Sequence, residues 1–320
     1  MEELLKKSEE ILTNNIGCYL DPKTKEILTL SILGVILVKG KEAIDKFPEV
    51  LKTLTVISDN RSVVEIAHQD LKNFQEDTTL SGADACVTRT IEYKNNKYEE
   101  QKTLIVSLSA KLTNPIFSLV VNCMHEFFHL LRFGGIEETS SGLIISDGIS
   151  YATADKQLNL KRRKHYHMEE GIVEAATDEG IEQLKIFLQD YNPKDSSVIK
   201  ACQEELATGT YKRIGHKMAK KLIKMLYTDP EFKNRAYQAD FEHSRPSELA
   251  KYYDSVVGFG AFNAFSKKFD DLIQQHEFLA GTEEEISVIP KIEDVCADIR
   301  TFLRKNKKVK VISISNDYKL

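Results

Sequence analysis

The chain has 320 residues, 29% of them charged and 42% hydrophobic, which is enough to bury a large core. Its net charge of -5 and pI near 6.0 carry no basic excess of the kind that nucleic acid selects. The five cysteines (Cys18, Cys86, Cys123, Cys202, Cys296) are odd in number and lack C-x-x-C spacing, which argues against a disulfide framework and for reduced thiols.

The N-terminus, MEELLKKSEE, is charged and helical in pattern, without the apolar stretch of a signal peptide. Helices are expected at 2–14, 24–39, 41–56 and 61–75, with breaks at Asp21-Pro22 and Asp59-Asn60. The most apolar run, ILTLSILGVILV at 27–38, is shorter than the ~20 residues a bilayer span needs and reads as a core helix. A cytoplasmic protein is expected, with neither membrane nor nucleic acid as partner.

From Ala85 the pattern becomes strand-like. ACVTRTIEY and KTLIVSLSA flank Asn95-Asn96, the signature of a hairpin. Asn114-Pro115 then reads as a helix cap with proline in the first turn, and PIFSLVVNCMHEFFHLL runs on to Gly134-Gly135, which would stop the helix. A second hairpin is expected in GLIISDGISYATA, turning at Ser146-Asp147-Gly148. The basic stretch KRRKHYH at 161–167 reads as a solvated loop, with His165 and His167 at the surface. A long helix follows at about 168–191 and ends at Asn192-Pro193. The remainder to about Lys305 is helical in pattern, and KVKVISISNDY at 308–318 alternates like a terminal strand. These elements divide as an N-terminal helical region (1–80), a core (81–192) and a C-terminal helical part (193–320).

The chemistry concentrates in His125-Glu126-Phe127-Phe128-His129, an H-E-x-x-H motif. Residues i and i+4 share one helix face, so both imidazoles can bind one ion while the glutamate projects beside it. The helix is otherwise apolar nearly all round, so it is read as buried. Two imidazoles and a carboxylate in such a place need compensation, and a divalent cation such as Zn2+ provides it. Phe127 and Phe128 read as packing residues, and Cys123 as core rather than nucleophile.

Catalytic zinc commonly takes three protein ligands. A third histidine at metzincin spacing is excluded, because Arg132 and Gly135 stand where that motif needs glycine and histidine. The better candidate is Glu174 in the 168–191 helix, with Glu170 and His165 or His167 as the alternatives. Glu174 is followed four residues on by Asp178. This E-x-x-x-D after H-E-x-x-H resembles the thermolysin-like gluzincin peptidases. The segment SSGLIISDGISYATA through EEGIVEAATDE is also similar to uncharacterised bacterial metallopeptidases of gluzincin type.

That resemblance covers roughly residues 100–190 and implies an α+β, zincin-like fold that is predominantly helical, with a small sheet before the H-E-x-x-H helix. It implies a zinc peptidase acting on peptide or protein substrates. His125, His129 and Glu174 would be ligands, Glu126 the general base, and Asp178 the partner of a ligand histidine. An extended substrate would pair with a sheet edge, around Val106–Ala110 or on its hairpin partner. The oxyanion donor would be a Tyr, His or Arg, for which Tyr211, His216 and His243 are candidates. The rival readings are a zinc-binding zincin-fold protein without peptidase activity and a helical binding module without metal.

Overall fold

The computed structural model describes residues 2–16, 19–71, 84–108, 115–132, 134–192, 196–211, 215–238, 247–279 and 287–317. The chain is of the α+β class and divides into two compact units. The first comprises Met1–Leu131 and Ala176–Gly215, and the second Arg132–Ala175 and His216–Leu320. The boundary crosses one continuous helix, α6 (Tyr166–Asp190).

In the first unit, α1 (Glu2–Asn15), α2 (Pro22–Lys39) and α3 (Lys41–Lys52) precede β1 (Leu54–Asp59) and α4 (Val63–Asp70). The Asp21 side chain caps α2 by accepting from Thr24 N–H at 3.0 Å, which is the physical content of the Asp-Pro break. The apolar run of α2 is core: Ile27, Leu28, Ile32, Leu33 and Val35 have no exposed surface. No helix among the described residues is long and apolar enough to cross a membrane.

The helix expected over 41–56 stops at Lys52, and β1 follows. Thr55, Val56 and Ile57 are β-branched and fit a pleated strand better than a helical turn. β2 (Ala85–Lys94) and β3 (Lys97–Ser107) form the expected hairpin. Asn95 and Asn96 take φ of 52° and 63°, the left-handed pair a two-residue turn requires. The sheet order is β1-β3-β2, with β1 parallel and β2 antiparallel to β3, so β3 is central and β2 is an edge.

The H-E-x-x-H segment lies on α5 (Ile116–Leu131). Asn114, expected as its cap, lies outside the described residues. The first N–H groups of α5, Ile116 and Phe117, each donate to the Glu205 carboxylate at 2.7 Å. Glu205 belongs to α7 (Ser197–Thr208). At the other end the Lys46 ammonium donates to Leu131 O. An anion at the N-terminus and a cation at the C-terminus both oppose the helix dipole. The Ser31 hydroxyl of α2 donates at 2.9 Å to Val120 O.

Gly180 on α6 marks a close approach, since a Cβ there would meet Met124 Sδ at 2.6 Å and Gly34 O at 3.2 Å. A Cβ on Gly34 would meet the same Met124 sulfur. Met124 on α5, one residue before His125, therefore lies against two glycines, one on α2 and one on α6.

The second unit holds an antiparallel sheet of order β4-β5-β6-β7: β4 (Gly134–Thr139), β5 (Gly142–Asp147), β6 (Ser150–Ala154) and β7 (Leu160–Lys164). Gly134 and Gly135, expected to stop α5, open β4 instead. The basic stretch is likewise no loop: 160–164 pairs with β6, and α6 begins at Tyr166. The N-terminus of α6 is closed by Asp270, which accepts from His167 N–H at 3.0 Å and Met168 N–H at 3.3 Å. Burial pushes the Asp270 carboxyl up to about 6, against the lowering effect of those bonds.

Helices α8 (Lys217–Leu226), α9 (Pro230–Gln238), α10 (Glu248–Val257), α11 (Ala261–Leu279) and α12 (Ile289–Asp317) complete this unit. Tyr253 stacks between Phe265 (5.2 Å) and Phe302 (4.7 Å) at the centre of its core. The C-terminal segment expected as a strand continues α12 through Asp317. A Cβ on Gly171 would meet Ala219 and Ile223 of α8, so this glycine lets α6 and α8 approach closely.

Substituting Gly180 by Val should overpack the Met124 contact and cost about 1–3 kcal/mol in urea unfolding. Combining it with Met124→Ala should cost less than the sum of the two single changes, because both act on one contact. Simple additivity would show that Met124 does not pin α6.

Candidate metal centre

Between Phe117 and Leu131 the side chains are buried, except at four half-buried positions: Asn122, His125, Glu126 and His129. These stand at i, i+3, i+4 and i+7, so they form one stripe along an otherwise apolar helix. Phe127 is buried and packs edge-on to Phe47 at 5.6 Å. Cys123 is also fully buried, and burial raises its thiol well above the usual range, so it stays protonated.

His125 Nε2 and His129 Nε2 face each other at 3.2 Å. Two nitrogens each ~2.0–2.1 Å from a tetrahedral zinc stand about 3.3 Å apart. The spacing of this pair therefore fits a shared cation with no change of backbone. Glu126, between them in sequence, accepts at 2.9 Å from Val87 N–H on the outer edge of β2. Asn122 donates to Asp84 Oδ2 at 3.1 Å. Asn122 was missed in the sequence, although its place three residues before His125 puts it on the same stripe.

On α6, Glu169, Glu170 and Glu174 are 1%, 7% and 3% exposed, so this acidic run is not the solvated face such runs usually make. Glu169 is held inside the second unit. Its Oε2 accepts at 3.0 Å from both the Arg132 guanidinium and Ile149 N–H, and Arg132 Nε also contacts Oε1. Gly148, with φ 57°, closes the β5–β6 turn over this pair, and a Cβ there would collide with both side chains. Glu174 is buried on the same helix as the half-buried Asp178, one turn away.

His216 precedes α8 and lies between two carboxylates: Nδ1 is 2.6 Å from Glu277 Oε1, and Nε2 is 3.6 Å from Glu170 Oε2. Burial works against the charged imidazole, but the Glu277 hydrogen bond and the charges of Glu170, Glu277 and Glu174 outweigh it and raise its pKa. His165 and His167, expected at the surface, are instead enclosed. His165 is 7% exposed, its Nδ1 is 2.5 Å from Ser266 Oγ, and burial followed by the Lys164 charge lowers its pKa to about 4.

Tyr211 packs edge-on to Phe117 at 5.1 Å, with Lys185 over its ring. Phe117 lies eight residues before His125, about 12 Å along the helix axis, so Tyr211 sits away from the histidine pair. His243 lies outside the described residues. No family model, no curated protein and no solved structure matches this chain.

Arg132→Met would leave Glu169 buried without its cation and should cost about 3–5 kcal/mol in chemical denaturation. Adding Glu169→Leu should recover a large part of that loss. A cost below 1 kcal/mol for the single change would show the pair to be dispensable.

Proposed function

We propose that the chain is a zinc-dependent peptidase of zincin-like fold, with the cation held by His125 and His129 and, as the gluzincin resemblance implies, by Glu174. The observation that carries this reading is the 3.2 Å separation of the two Nε2 atoms, which suits a single tetrahedral ion. Glu169 is engaged by Arg132, and of the other acids at the start of α6 the gluzincin resemblance gives the ligand place to Glu174. Asp178, one turn on, takes the supporting position beside a ligand histidine.

Bound zinc would supply Lewis-acid polarisation and make water acidic enough to attack near neutral pH. Glu126 is the general base in this reading: it takes the proton of the attacking water and delivers it to the leaving amine. Its hydrogen bond from Val87 N–H fixes the carboxylate beside the edge of β2. His216 is the oxyanion donor, its Nε2–H oriented by the Glu277 bond at Nδ1. Tyr211 drops out, because it packs two turns up α5.

The docking edge is β2. The central β3 is paired on both sides and has no free edge for substrate, whereas the Val87 N–H of β2 points away from the ladder toward α5.

Purified protein should carry zinc, His129→Ala should lose the equivalent bound at this centre, and Glu126→Gln should keep it while cleavage of a mixed peptide pool drops about 10²–10⁴-fold. Zinc bound without any cleavage would favour a non-peptidase role. Unchanged zinc in His129→Ala would sink the ligand assignment.

Separate alanine variants at Glu170 and Glu174 decide the third ligand. Glu174→Ala should abolish tight zinc binding at this centre, and Glu170→Ala should leave it in place. The reverse order would give the role to Glu170.

A further inference from the structure

The second unit contains another set of possible metal donors, of which the peptidase reading uses only His216, as a hydrogen-bond donor through Nε2 oriented by Glu277. His167, His216 and Glu277 each offer one ligand atom, and these atoms all lie within 4.8 Å of one another. The Glu277 carboxylate spans the two rings: Oε1 is 2.6 Å from His216 Nδ1, and Oε2 is 3.8 Å from His167 Nδ1. The second separation is too long for a hydrogen bond. His167 Nδ1 is buried and has no hydrogen-bond partner among the described residues. A buried imidazole nitrogen aimed at a carboxylate without bonding to it is an unsatisfied group, and such a group calls for a ligand.

We propose that His167, His216 and Glu277 form a second cation site, for zinc or a similar divalent transition metal. Two imidazoles and one carboxylate are a borderline donor set that suits zinc rather than calcium or magnesium. Donors of a tetrahedral zinc stand about 3.3 Å apart. The two observed separations, 2.6 and 3.8 Å, fall on either side of that value, so small side-chain rotations reach it.

Three elements fix the set independently. Asp270 anchors the backbone of His167 at the start of α6, His216 sits at the start of α8, and Glu277 lies on α11. The side chains of His216 and Glu277 are 27% and 39% exposed, which leaves a path for the ion and a position for water. Binding through His216 Nδ1 would leave the proton on Nε2, the nitrogen that faces Glu170. This site stands whether or not the chain is a peptidase.

The test is zinc titration of the full chain, with bound metal counted after gel filtration. Cobalt substitution reports ligand nitrogen through its visible absorption. Wild type should bind two equivalents, His167→Gln and Glu277→Gln one each, His129→Ala one, and His129→Ala with His167→Gln none. Thermal melts should show the variants folded without metal, and zinc should raise the midpoint of His129→Ala but not that of the double variant. Zinc stoichiometry unaffected by His167→Gln and Glu277→Gln, in folded protein, would overturn the proposal. Loss of one equivalent in those variants with none lost in His129→Ala would instead remove the peptidase centre and leave this site intact.

Discussion

The position of α5 within its unit is the constraint on which the site depends. Its two ends are held by opposite charges, with Glu205 on the first N–H groups and Lys46 on the last carbonyl. Between them Met124 lies against Gly34 and Gly180, which fixes the rotation of the helix one residue before His125. Rotation matters because the stripe Asn122–His125–Glu126–His129 is narrow. A turn of one residue, about 100°, would carry the imidazoles into the apolar core and bring Phe128 out. Two glycines and a flexible thioether thus set the direction in which the chemistry faces.

The polar groups of the stripe are sustained by partners from the same unit. Glu126 accepts from an edge-strand N–H, and Asn122 donates to the buried Asp84. A hydrogen bond from an amide to a carboxylate contributes about 1.5–3 kcal/mol, which holds the Glu126 side chain against the edge of β2. Substrate pairing with β2 would compete for the Val87 N–H, so arrival of a peptide strand and release of Glu126 would be linked events.

The H-E-x-x-H helix was legible because its signal is local: a continuous apolar helix interrupted at helical spacing by two histidines and a glutamate. The Asn95-Asn96 hairpin was legible for the same reason, since two residues able to take positive φ fall between alternating runs. What escaped the sequence is what depends on distant partners. β1 is a strand because it pairs in parallel with β3, and β7 is one because β6 lies beside it. Glu205 and Asp270 cap helix N-termini with carboxylates from remote helices. His167 read as a surface residue because nothing near it in sequence reveals Glu277 or Asp270. The alternation at 308–317 misled because period-two patterning also occurs along a helix that extends an existing one.

A crystal structure of the protein equilibrated with zinc, phased at the zinc absorption edge, tests the central claim most directly. The account predicts an anomalous peak ~2.0–2.1 Å from both His125 Nε2 and His129 Nε2, with a carboxylate of α6 at ~2.0–2.2 Å. A map with no peak between these two nitrogens, in protein shown to contain zinc, would contradict it.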